Sequence, residues 1–185
     1  MESSLLKSDP PERRSSRLDF SAVFEQELGY VWNSLRRLGV PPRDIEDLAH
    51  DVFLKVFRRF DRYEPGRPIR PWLFGFAARV ASDYRRRACN RREILESTAE
   101  PCDPLPTALE HLVNLEALRM AEAALQRIDL APRAVFILHE LDGCPIPEAA
   151  QVLGIPVPTA YSRLRLARKQ FSAALRRLSR RGGTQ

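Results

Sequence analysis

Apolar residues return every three or four positions along this chain, and no segment sustains the period-two alternation of a half-buried strand. Phe20, Val23, Phe24, Leu28, Val31, Trp32 and Leu35 form one such series, with Asp19 or Ser21 as its cap and Gly39 as its stop. After Pro41-Pro42 a second series carries Ile45, Leu48, Val52, Phe53, Val56 and Phe60 on one face. Its other face holds Glu46, Asp47, His50, Asp51, Lys55 and Arg58. The stretch 61–70 (DRYEPGRPIR) reads as a loop from its Pro and Gly content, and Pro71 opens a third helix. There Trp72, Leu73, Phe76, Ala77, Val80 and Tyr84 point inward, and the helix finishes in the basic run RRRACNRR over 85–92. A further amphipathic helix is predicted over 113–129, from Val113, Leu115, Leu118, Ala121, Leu125 and Ile128. The pattern predicts an all-α fold.

The segment from Leu130 to Ala173 adds a more specific signal. A short helix and a longer one flank a Gly-Ile-Pro turn, and the longer one carries Arg163, Arg165 and Arg168. Leu153 closes the first helix, Gly154 takes the permissive position after it, and Pro156 or Pro158 starts the next. The first helix is expected to start with Pro147 at its first position. This is helix-turn-helix grammar, in which the second helix enters the DNA major groove.

Composition sharpens the partner and removes other readings. Of 185 residues, 30 are Lys or Arg against 24 Asp or Glu, a net charge of +6 carried mostly by arginine. Arginine forks phosphate and guanine edges bidentately. Three cysteines, Cys89, Cys102 and Cys144, form neither a disulfide framework nor a zinc motif and fit a reducing cytoplasm. His139 beside Cys144 has no further ligand at metal spacing. No apolar run approaches the roughly 18 residues of a membrane span, and residues 1–16 lack an apolar signal core. No carboxylate metal cluster, HExxH, Walker loop or Ser/Cys–His pairing indicates catalysis, and neither a cofactor nor a metal is expected.

The organisation expected is two small helical domains and a tether. Residues 1–18 read as a disordered tail, 19–96 as the first domain, 97–112 as a flexible linker, 113–178 as the second domain, and 179–185 as a disordered tail. The linker contains three prolines, Glu100, Asp103 and Glu110, and no Lys or Arg, so it is acidic between two basic blocks. It reads either as a solvated tether or as a segment that occupies a positively charged groove in a partner.

Two blocks resemble one family in the same order. Residues 44–63 (DIEDLAHDVFLKVFRRFDRY) and 70–87 (RPWLFGFAARVASDYRRR) resemble region 2 of the bacterial extracytoplasmic-function, or group 4, sigma factors. Residues 125–171 resemble their region 4. The resemblance implies a non-enzymatic, cytoplasmic subunit that binds core RNA polymerase and recognises the −35 and −10 promoter elements. Its polymerase contacts would be the largest-subunit coiled coil and the flap, and an anti-sigma factor would hold it inactive. It assigns polymerase docking to Asp47, His50 and Asp51, with Arg58 nearby; relatives more often carry Gln at position 50. It assigns −10 recognition and melting to Tyr63, Arg67, Arg70 and Arg79, with Arg85, Arg86 and Arg87 along the strand; most relatives have Asn at position 79. Opening DNA costs about 1–2 kcal/mol per stacked step, which capture of flipped bases and single strand must offset. Trp72 and Phe76 are expected in the core. Region 4 would present Thr159, Tyr161, Ser162, Arg163, Arg165 and Arg168 to the −35 element, with Pro-Thr-Ala-Tyr at 158–161 where relatives have Gly-Thr-Val-Lys. The alternative is a helix-turn-helix regulator that works without polymerase, which leaves the 44–87 block unexplained.

Overall fold

A computed structural model describes residues 11–64, 66–92 and 112–182, and these are helical with short connections and no strand. Helix α1 spans Pro11–Arg37, α2 Pro42–Phe57 and α3 Ile69–Arg92. Helices α4 (Leu112–Leu125), α5 (Leu130–Phe136), α6 (Ile146–Leu153) and α7 (Val157–Gly182) complete the order. Helix α1 begins at Pro11 and not at Asp19 or Ser21, so residues 11–18, expected within the N-terminal tail, are helical. Except for Leu112, the expected linker lies outside the described residues. At the other end α7 continues through Gly182.

The first block is a three-helix bundle. Phe20 meets Phe57 at 5.0 Å between ring centroids and Phe24 meets Phe53 at 4.7 Å, so α1 and α2 run antiparallel. Val31, Leu35, Val52, Val56, Leu73 and Phe74 are fully buried between the three helices. Gly39, with φ +91°, ends α1 in a Schellman turn: Val40 N–H donates to the Leu35 carbonyl at 3.1 Å and Gly39 N–H to Arg36 at 3.0 Å. Gly154 ends α6 in the same way at φ +66°, with Ile155 donating to Ala150. Both stops fall where the sequence expects them.

In the second block α5 and α7 pack together, and α4 also lies along α7. A π-helical turn, Ile137–Leu141, follows α5 directly and buries Ile137 and Leu138. Pro147 enters α6 at its second position, because Ile146 is the first helical residue and Pro145 precedes it. The two blocks also pack on each other: α3 meets α6, and one continuous apolar core runs through both. No described helix is long and apolar enough to cross a membrane.

Candidate nucleic-acid interface

Helix α7 buries Ala160, Leu164, Ala167 and Ala174 against the second block. That register turns Tyr161, Ser162, Arg165, Leu166, Arg168 and Lys169 outward, while Thr159 and Arg163 are half-buried beside them. Ser162, Arg163, Arg165, Leu166 and Lys169 line one shallow groove. Lys169, four residues after Arg165, belongs to this face and was missed in the sequence, although the i,i+4 spacing marks it. The arginines differ in their partners. Arg168 forks Glu140 from the π-helical turn, Nη2 at 2.6 Å and Nε at 2.8 Å. Arg163 and Arg165 have no ion pair among the described residues.

A second basic surface lies in the cleft between the blocks, a cavity of about 320 Å³. Its aromatic wall comes from Tyr63, Trp72 and Phe76, with Tyr63 and Trp72 rings 5.2 Å apart and Trp72 edge-on to Phe76 at 5.0 Å. The Tyr63 hydroxyl donates 2.7 Å to the Arg67 carbonyl, which fixes the loop that carries the wall. Phe76 is buried as expected; Trp72 is only half-buried and shows part of its ring to the cleft. Cations stand around this wall. Arg67 pairs with Glu64 at 2.7 Å, and Arg79 lies over the Phe76 ring at 5.8 Å and donates 3.1 Å to the Val152 carbonyl. Arg59 and Arg62, which the sequence reading did not single out, join them. Helix α6 closes the far side with Glu148, Gln151 and Val152.

Not every expected cation reaches the cleft. Arg70 turns to α1, donates 2.9 Å to Glu27 and covers the Tyr30 ring at 5.4 Å. The carboxylate holds its guanidinium even more firmly protonated than usual. Arg85, Arg86 and Arg87 lie further along α3, exposed, with Arg86 paired to Asp83 at 3.1 Å.

The acidic stripe of α2 is a third surface. Asp47, His50, Asp51 and Arg58 are all exposed and follow one line down the helix. Leu54 interrupts that line at 43% exposure, and Phe57 flanks it at 49%. An apolar centre rimmed by charges is the composition of a protein-docking face.

Comparison with known proteins places both blocks in one family. Residues 23–91 match the model of sigma-70 region 2, and residues 118–171 match sigma-70 region 4. The chain is 30% identical over 171 residues to the RNA polymerase sigma factor NccH of Alcaligenes xylosoxydans xylosoxydans, covering 88% of this chain and 91% of that one. It is 28% identical over 151 residues to the ECF RNA polymerase sigma-E factor of Escherichia coli K12, covering 77% and 79%. The fold matches the sigma factor RpoE of Bartonella quintana, solved with the anti-sigma factor NepR, at a TM-score of 0.68 and 23% identity over 85% of this chain and 97% of that one. The chain therefore belongs to the extracytoplasmic-function sigma-70 family, factors for promoter-specific transcription initiation by RNA polymerase.

Proposed function

We propose that this sigma factor divides promoter work among its three surfaces. The stripe Asp47, His50, Asp51 and Arg58 docks on the coiled coil of the polymerase's largest subunit, with Leu54 as its apolar centre. The groove of α7 reads the −35 element: Arg163 and Arg165 take guanine edges or phosphate, Tyr161 a thymine methyl, Thr159 and Ser162 a base or phosphate, and Arg168 and Lys169 phosphate. The Tyr63–Trp72 wall stacks an unpaired base of the −10 strand, and Arg67 and Arg79 hold its backbone. Arg70 and the run Arg85, Arg86 and Arg87 extend the positive track beyond the cleft. Units 19–96 and 113–178 act as the two functional halves, in the cytoplasm. An anti-sigma factor as a further partner is supported by the solved relative, which carries one.

The observation that carries this reading is one chain holding both a basic major-groove helix and a separate aromatic-basic cleft. A duplex-only regulator needs the first and has no use for the second. Run-off transcription tests it. Core polymerase plus the protein on a fragmented genomic template yields discrete transcripts. Specific DNA binding without core, and no transcript with it, refutes the proposal in favour of a plain regulator.

A further inference from the structure

The cleft has a second side that strand capture does not use. A protein that binds single strands needs a groove that tracks the backbone over several nucleotides. Here α6 stands across from the Tyr63–Trp72 wall, and a cavity of about 320 Å³ lies between them. Small-molecule sites run from about 300 to 1,000 Å³, so this one has room for a single base and its sugar. The aromatic side is held in place before any ligand arrives. Phe60 stacks behind Tyr63 at 6.0 Å with the rings 23° apart, and the Tyr63 hydroxyl is tied to the Arg67 carbonyl. Trp72, edge-on to Phe76, leaves part of its ring open to the cavity, where a base can stack.

Two guanidiniums of the lining are uncommitted. Arg59 and Arg62 bracket the 3-10 turn Phe60–Arg62, where the Arg62 N–H donates 2.9 Å to the Arg59 carbonyl. Side chains three apart eclipse in such a turn, so both leave on one side. Both are exposed and have no ion pair among the described residues, whereas Arg67 is paired with Glu64. Two adjacent forks suit a pair of phosphoryl groups.

Region 4 supplies the opposite chemistry. Glu148 and Gln151 lie three residues apart on α6, on the face turned to the cavity. Glu148 has no ion pair among the described residues, despite the cations across the cleft. A carboxylate only accepts hydrogen bonds, while an amide both donates and accepts. The Watson–Crick edge of guanine matches that pair: its ring N–H and 2-amino group donate to the carboxylate, and O6 accepts from the amide. Adenine would set a ring lone pair against the carboxylate.

We propose that the cleft is a site for a free guanine nucleotide, a guanosine di- or triphosphate. The base stacks on Trp72, Glu148 and Gln151 read its edge, and Arg59 and Arg62 hold the phosphates. This goes beyond the −10 role, which uses the region 2 wall alone; the nucleotide site needs both regions. A guanine within a DNA strand carries the same base, so experiment has to separate the two sources.

The test uses the full chain and GDP, which polymerase cannot incorporate. The chain has two tryptophans, and Trp32 lies on α1 outside the cleft lining, so Trp32→Phe leaves Trp72 as the reporter. GDP should quench its fluorescence saturably and bind at least about 10-fold more tightly than ADP. Glu148→Gln should bring GDP down to the affinity of ADP. Arg59→Ala and Arg62→Ala should each weaken GDP roughly 10-fold and leave guanosine unchanged. Calorimetry on the wild type should give the same constants. No saturable binding of GDP up to about 1 mM, equal affinity for GDP and ADP, or displacement by pyrophosphate at equal concentration overturns the site. A guanine-bearing oligonucleotide that quenches Trp72 where GDP does not assigns the wall to strand alone and overturns it too. Run-off transcription reports separately: transcripts from a chain that ignores GDP reject this inference and leave the promoter role standing.

Discussion

Arg133 is a fully buried cation, and its removal is the most quantitative probe of how region 4 is held. It has no carboxylate partner among the described residues and is stabilised by carbonyls. Its Nε and Nη2 donate to the Ile128 carbonyl at 3.0 and 2.6 Å, Nη2 to the Gln126 carbonyl at 2.7 Å, and Nη1 to Gln126 Oε1 at 2.6 Å. These acceptors belong to the turn after α4, so the guanidinium ties that turn to α5. Burial pulls its pKa down to about 10, so it stays charged at neutral pH. Arg133→Ala orphans two backbone carbonyls, each costing about 1–3 kcal/mol, and leaves a cavity; relief of the buried charge offsets part of that. A net loss of about 3–5 kcal/mol is expected. At about 2–4 °C per kcal/mol for a chain of this size, the melting temperature should fall by roughly 6–20 °C. Arg133→Lys should recover only part, because an ammonium cannot reproduce the fork. Denaturant titration gives the free energy, and calorimetry the melting temperature. A loss below about 1 kcal/mol for Arg133→Ala would refute the view that these carbonyls depend on it.

Other expectations follow from the surfaces. Asp51→Arg, on an exposed helix position, should reduce core-polymerase affinity at least about 10-fold without lowering thermal stability; unchanged affinity removes α2 as the docking face. Arg165→Ala should alter base preference near −35, whereas Arg168→Ala should weaken every sequence and flatten the log–log salt slope by about one. Binding selections and salt titrations separate the two, and a uniform loss for Arg165→Ala would make it a phosphate contact. Cys89 is exposed, while burial and then nearby Glu148 push the Cys144 thiol up to about 12. The thiolate is the reactive form and appears only as pH nears that value, so at pH 8 a thiol reagent should label Cys89 and spare Cys144 until the protein unfolds. Peptide mapping that finds Cys144 labelled in the native state contradicts this burial.

The sequence was most legible where its signals are local. Gly39 and Gly154 sit at φ +91° and +66° because only a residue without a Cβ takes those turns cheaply, and both were readable from the apolar periodicity that stops before them. Phe76 was placed correctly in the core from its register, whereas Trp72 beside it lies half-open to the cleft. The region between α4 and α6 was less legible. LAPRAVFILHEL has no amphipathic stripe to read, since Pro132 through Leu138 are all buried. Nothing in the residues around Arg133 marks it as the buried cation it is.

Residues alone determined the all-α class, the amphipathic helices, the helix-turn-helix, the charge and the family, since each depends on spacings of a few positions or on the residue types themselves. Only the tertiary structure decided which arginines are already engaged: Arg70 with Glu27, Arg168 with Glu140, and Arg79 with Val152. It also decided that the two regions share a core. The Tyr30–Asp142 bond joins residues 112 positions apart, and the Arg79–Val152 bond residues 73 apart. No periodicity encodes such pairings; they follow from which faces remain unburied once the local helices have formed.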